Sequence, residues 1–528
     1  MKRLTFIILF FLITMSLFSQ KTERYIIKTT QELSDTRLHH ILKLNKTDKV
    51  ETIFKELNLF LINIKPEDKK KIKRNPIIDF IVKDSKLEYR NTPNDPNYIK
   101  QYGPSQIRAD EVWDYNTGGL NGRGDTIIIA VLDKGMETTH LELIDNIWRN
   151  NDEIPGDSMD NDNNGYTDDY FGVDMKNKND NHNVHSHGTS VAGIIGAKGN
   201  NNKGMTGLNW NIKILPVTNV NYVSDVIKGY HYIYSLRKKF NDTNGTHGAF
   251  VVATNLSAGK SNEFPNDSPE NIQWCDIYNV LGQQGILNIS SASNDPINVE
   301  DKGDMPTLCK SDYFISVTST DKDDNFDTSR SFGKTSIDLA APGKDIYTLY
   351  LDNGFKEKFS GNSAAAPHVA GAIGLLYTIP CSGFTSKVIA NPAELSLKIK
   401  EYILDYSDKH TDLTDKTVSG GRLDVYNAYI HLAEDLCDDL TTGTFEIKKI
   451  YPNPARNNVF IEYSTNSFNP HTLFVYNSIG QKVYEKTFRP KLFGQKIEKI
   501  DIRNFSSGIY YIKLISGNNS IVKAISIL

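Results

Sequence analysis

A chain of 528 residues is more than three times the common domain size of about 150, so several separately cored units are expected. With 39% hydrophobic and 23% charged residues and a mean hydropathy of -0.43, it is too polar for a multi-span membrane protein, and 26 Tyr with 24 Phe argue against disorder. The net charge of -4 divides into +2 over residues 1–20, +6 over 21–90, -19 over 91–444 and +7 over 445–528, and an acidic main body excludes a nucleic-acid binder.

Met1-Lys2-Arg3 and the apolar run from Leu4 to Phe18 have the charged start and short apolar core of a secretory signal, spanning 1–19. A membrane anchor is the competing reading, but the run is short for a full span. No other long apolar segment follows, so no membrane span is expected after signal removal.

Residues 20–95 alternate between strand-like and helix-like stretches. Tyr25 to Lys28, Leu59 to Ile64 and Ile77 to Val82 are expected as strands, and Asp35 to Leu44 and Pro66 to Arg74 as helices. This is a small α+β module, closed by the turn-prone Asn91-Thr92-Pro93-Asn94-Asp95-Pro96, a boundary suited to proteolytic nicking.

From 96 to 437 short apolar runs alternate with amphipathic stretches. Thr126 to Leu132, Ile212 to Val217, Phe250 to Ala253, Gly285 to Ile289 and Phe314 to Val317 have the composition of parallel strands covered on both faces. An α/β layered domain with a mostly parallel sheet follows, with reacting groups expected at the carboxyl ends of its strands. After a linker at 438–444, residues 445–528 show at least six short strands between Asn, Gly, Pro and Ser turns, which suggests an all-β sandwich. The four cysteines permit three connectivities. In an oxidising compartment the neighbouring pairs, Cys275 with Cys309 and Cys381 with Cys437, are the first choice, with free buried thiols as the alternative.

Three segments carry nucleophile chemistry. Asp133 closes a strand, His187 opens His187-Gly188-Thr189-Ser190-Val191-Ala192-Gly193, and Ser363 lies in Ser360-Gly361-Asn362-Ser363-Ala364-Ala365-Ala366-Pro367-His368. Serine needs an imidazole to take its proton and a carboxylate to orient that imidazole. The order Asp, His, Ser differs from those of the chymotrypsin and α/β-hydrolase arrangements. Small residues around Ser363 let backbone approach a substrate where a helix begins, and helix-end N–H groups favour a developing oxyanion.

With these blocks in this order, the segment from about 97 to 437 resembles the subtilisin-like serine proteases (subtilases). The resemblance implies a secreted serine endopeptidase that forms an acyl-enzyme on Ser363, with His187 as base then acid, Asp133 as its orienter, and no cofactor for the chemistry. It implies that Asn294, in Ser291-Ala292-Ser293-Asn294, supplies a side-chain oxyanion donor. The family pattern has Gly where Ser293 stands, Thr where Asn362 stands and Met where Ala364 stands, which bears on efficiency and pocket shape. Asn255-Leu256-Ser257-Ala258-Gly259 resembles the family's substrate-pairing strand, so Ser257, Ala258, Gly259 and the adjacent Asn362 form the expected substrate-binding set. A catalytically silent adhesin or binding protein on the same fold is the rival reading.

Residues 20–95 resemble the family's inhibitory prosegment, and the +6 charge of 21–90 suits docking on an acidic body. The tail, with Tyr451-Pro452-Asn453-Pro454 and Ser507-Gly508-Ile509-Tyr510-Tyr511-Ile512-Lys513-Leu514, resembles the sorting domain of the type IX secretion system. The implied partners are peptide or protein substrates, the chain's own prosegment and the type IX machinery. The implied location is outside, or on the surface of, a Gram-negative bacterium.

Between Asp133 and His187, the run from Asp160 to Asp168 has oxygen ligands at alternate positions and Gly165 at a turn, as in calcium loops, although Phe171 stands where a bidentate Glu is expected. Asp160, Asp162, Asn164 and Asp168 are the expected ligands of a structural calcium, with a solvated Asx-rich loop as the alternative. Glu300, Asp301 and Asp304 fall near the expected specificity pocket. They are read first as a solvated acidic loop and second as a source of preference for a basic substrate residue.

Overall fold

The computed structural model describes residues 22–45, 48–84, 92–437, 445–464, 471–488, 496–503, 505–516 and 519–528. The expected signal at 1–19 and linker at 438–444 lie outside the described residues. The chain divides into two compact units, Met1–Arg90 and Asn91–Leu528.

In the first unit the strand Glu23–Thr29 lies between Leu59–Ile64 and Ile78–Lys83, antiparallel to both, with Val50–Phe54 at one edge. That edge strand was not expected. It alternates poorly and is largely exposed, so its pairing rather than its hydrophobic pattern defines it. The helices Asp35–Ile41 and Lys69–Lys73 are shorter than the sequence suggests, and the turn Pro66–Asp68 precedes the second. Tyr25, Ile27, Leu38, Phe60, Ile62, Ile64 and Ile72 form a core of their own.

The second unit is organised by a nine-stranded sheet. From one edge the order is Asp408–Lys409, Gly421–Arg422, Leu339–Pro342, Phe314–Thr320, Leu287–Ser291, Val251–Leu256, Ile128–Leu132, Lys213–Thr218 and Val173–Asp174. All pairings are parallel except that of the first two. Along Ile128–Leu132 the side chains alternate faces as strand geometry requires. Ile129 and Val131 join the core beneath the helices Ser186–Gly196, Asn362–Leu376, Pro392–Asp405 and Val425–Leu436. Ile128, Ala130 and Leu132 join the core beneath Val223–Asp242 and Pro269–Gly282. Burial on both faces explains why these strands read as continuous apolar runs.

Cys275 bonds to Cys309 and Cys381 to Cys437, closing loops of 34 and 56 residues. Each closure removes unfolded-state entropy worth about 4 kcal/mol in the chain-entropy model. The second fastens the end of the helix Val425–Leu436 to the segment after the helix Asn362–Leu376.

Residues 445–528 form two antiparallel sheets. One has Asn458–Ser464 between Glu446–Tyr451 and Lys496–Asp501, and the other has the order Lys482–Phe488, His471–Asn477, Gly508–Ser516, Asn519–Ile527. Val459, Ile461, Leu473, Val475, Ile512, Leu514, Ile525 and Ile527 from the two sheets share one core, which is the sandwich expected from the turn spacing.

Candidate active site

Asp133 directly follows the strand Ile128–Leu132, so the central sheet carries it to its carboxyl edge. It is almost fully buried, and its Oδ1 accepts from the Lys134 N–H at 2.8 Å while its Oδ2 lies 2.7 Å from His187 Nδ1. His187 is the second residue of the helix Ser186–Gly196, and its ring meets the Phe359 ring edge to face at 5.7 Å. The helix start can approach Asp133 only because residue 188 is glycine. A Cβ there would lie 2.1 Å from the Gly135 carbonyl oxygen and 2.9 Å from Asp133 Cβ.

Ser363 occupies the second position of the buried helix Asn362–Leu376. Its Oγ lies 3.5 Å from the Ser257 carbonyl oxygen, and the Ser257 hydroxyl donates to the Ser363 carbonyl at 3.4 Å. Its backbone N–H belongs to the first turn, where N–H groups lack intrahelical acceptors. Gly361, at φ +141°, precedes the helix, and a Cβ there would meet Asn294 Oδ1 at 2.8 Å.

Asn294 is exposed, and its Oδ1 accepts from the Asn362 backbone N–H at 2.9 Å. A backbone N–H can only donate, so this contact fixes which end of the carboxamide is oxygen and leaves the Asn294 NH₂ directed away from the helix backbone. Asn362, expected beside the substrate, is instead 0% exposed and turned inward. Its Nδ2 donates to the Ser293 and Ala292 carbonyls at 2.8 and 3.2 Å. It ties the helix that carries Ser363 to the segment bearing Asn294. Of the remaining substrate-binding set, Ser257 is buried against Ser363, while Ala258 and Gly259 form an exposed edge.

The acidic insert differs from the expected ligand set. Asp168 accepts from the backbone N–H groups of Gly156, Asp157 and Ser158 at 2.7 to 3.1 Å, which commits it to capping that turn. Asn164 turns its Oδ1 to the Tyr166 N–H and donates to Asp169. Asp160 and Asp162 do converge, and the third group beside them is Glu153, the three presenting oxygens within 4.8 Å of one another. Glu153 escaped the sequence reading because it lies seven residues before Asp160, outside the loop motif. It is 4% exposed with one carboxylate oxygen buried and unpartnered, and burial raises its pKa. Lys239 lies 3.7 Å from Asp162. Nearby, burial pushes the Asp169 carboxyl up to about 7. The buried Glu142, also pushed up to about 7 by burial with Asp95 as a neighbouring like charge, is a further acid that sequence reasoning did not single out.

The three acids after Asn294 do not form one solvated loop. Asp301 is exposed and Glu300 accepts from Thr335, but Asp304 is 3% exposed.

A parallel sheet that delivers a carboxylate to a histidine at one helix start, with a serine at the start of a second, buried helix, defines a layered α/β protein. Residues 124–416 match the family model described as the subtilase family, and the chain belongs to that family. Residues 449–528 match the model of a secretion system C-terminal sorting domain, which implies secretion or display at the cell surface. The chain is similar to Subtilisin-like protease 1 of Plasmodium berghei, 26% identical over 400 residues that cover 71% of this chain and 60% of that one. It is 30% identical over 267 residues to the protein of that name from Plasmodium falciparum, covering 48% and 37%. Thermitase of Thermoactinomyces vulgaris is 28% identical over 293 residues, covering 54% and 85%. The chain thus spans only 60% and 37% of the lengths of these two Plasmodium proteins.

Proposed function

We propose that the chain is a secreted serine endopeptidase that cleaves peptide bonds through an acyl-enzyme on Ser363. The observation that carries this is the 2.7 Å contact between His187 Nδ1 and Asp133 Oδ2, within one fold that also presents Ser363 at a helix start. The contact holds the proton on Nδ1, so Nε2 is free to accept the Ser363 proton as Oγ attacks a carbonyl carbon. The tetrahedral oxyanion is held by the Ser363 N–H and the Asn294 NH₂, whose orientation Asn362 secures. His187 returns the proton to the leaving amine. Water then enters by the same route in reverse and releases the acyl group.

Residues 20–95 serve in this reading as an inhibitory prosegment, which the +6 charge of 21–90 and a separate core support. The tail addresses the chain to the type IX secretion machinery of a Gram-negative bacterium. A fluorophosphonate probe tests the enzymatic reading: the mature protein should be labelled, with the adduct mapped to Ser363. Absence of labelling in protein freed of its first unit would favour a silent binding protein. Asn294→Ala should lower kcat about 100- to 1000-fold with little change in KM, because its hydrogen bond forms in the transition state. An unchanged kcat would remove Asn294 from the oxyanion site.

Glu153, Asp160 and Asp162 fit a hard cation, since three converging carboxylates include a buried, unpartnered oxygen that a calcium ion would satisfy. The role is structural, relieving repulsion among the acids of the insert. Calcium at about a hundred times its Kd should stabilise the fold by about 2.7 kcal/mol. The melting temperature should therefore fall in EDTA and recover when calcium is restored. A melting temperature indifferent to both would assign the insert to solvent.

A further inference from the structure

Asp304 is a buried carboxylate without a counter-ion. Its Oδ2 accepts from the Ser293 N–H at 2.8 Å and the Thr307 hydroxyl at 2.6 Å, and among the described residues Oδ1 has no partner. Burial pushes its pKa up to about 6, and the charged neighbour that adds to the rise is another acid, Asp295. The nearby ammonium of Lys260 is occupied by Glu263, Glu270 and Asn271.

The position of this group gives it meaning. The exposed edge Ala258–Gly259 continues into Lys260–Ser261, which pairs antiparallel with Asp304–Met305. Gly259 lies so close to this partner that a Cβ would be 2.1 Å from the Met305 carbonyl oxygen. On the other side, Ser293 donates to Asp304 and is followed by Asn294, which is bonded to the N–H beside the nucleophile. Two segments that reach Ser363, one through Ser257 and one through Asn294, therefore converge on Asp304 at their far ends. In the peptidase reading the substrate carbonyl lies between Ser363 and Asn294, and these two segments flank the side chain of that substrate residue.

Resting on the peptidase reading above, we propose that Asp304 forms the floor of the pocket for the residue on the acyl side of the cleaved bond and selects lysine or arginine there. A long cationic side chain supplies the counter-ion that the protein does not. An aliphatic or aromatic one leaves a buried carboxylate uncompensated, and that asymmetry is what discriminates between substrates.

The test uses mature protein and a series of peptide anilides that differ only in the residue before the scissile bond, assayed at pH 8, where Asp304 is ionised. The wild-type kcat/KM should be higher for Lys and Arg than for Phe and Leu. In Asp304→Asn the ratio of the basic to the neutral series should fall about 10- to 100-fold, the value of a buried charge-assisted hydrogen bond. A wild-type enzyme that prefers Phe or Leu overturns the proposal without any variant, as does a ratio unchanged in Asp304→Asn. Failure of the peptidase reading is distinguishable, because then neither series is cleaved and the fluorophosphonate does not label Ser363.

Discussion

Asp133→Asn should lower kcat by about 10,000-fold while leaving the fold intact. The reason lies in the two oxygens of Asp133. Oδ1 accepts from the Lys134 N–H, a donor with no alternative role, so an asparagine must place its own oxygen there and turn its NH₂ toward His187. An NH₂ facing Nδ1 requires that nitrogen to accept, which moves the ring proton to Nε2. The imidazole then presents a proton to Ser363 instead of a lone pair. Steady-state hydrolysis of a peptide anilide measures the loss, and an unchanged melting temperature separates it from unfolding. A loss of tenfold or less would mean that Asp133 does not set the tautomer.

Ser363→Ala should lower kcat about a million-fold, leaving the residual rate that binding and oxyanion stabilisation supply without a nucleophile. The helix should tolerate the change, because Ala364, Ala365 and Ala366 already pack in its next positions. If the same serine cuts the prosegment, the purified variant should retain the mass of the uncleaved chain. Hydrolysis at the wild-type rate would move the nucleophile elsewhere. Processing without hydrolysis would show that another protease performs the first cut.

The Asp133–His187 contact and the place of Ser363 at a helix start were legible because each residue sits in a local pattern with a local physical cause. Gly188 and Gly361 are demanded by contacts of 2.1 and 2.8 Å that any side chain would violate, so the small residues flanking His187 and Ser363 mark the close approaches themselves. The strands that deliver Asp133 and the Asn294 segment were legible because burial on both faces leaves unbroken apolar runs. The acidic insert was legible only as a composition. Alternate Asx residues satisfy backbone N–H groups as readily as they bind a cation, and Asp168 does the former.

By itself the sequence determined the layered architecture, the three ordered blocks and the three differently composed regions, because periodicity, turn chemistry and close-packed glycines are properties of neighbouring residues. Tertiary structure alone decided which polar groups face one another across the chain. It brought Glu153 to Asp160 and Asp162, turned Asn362 away from the cleft toward Ser293, and buried Asp304 beneath the same residue. The physical reason is that a carboxylate's role follows from its dielectric surroundings and its partners. Those are supplied by strands and loops distant in sequence, so an acid in a run of acids reads as solvated until the fold removes the water.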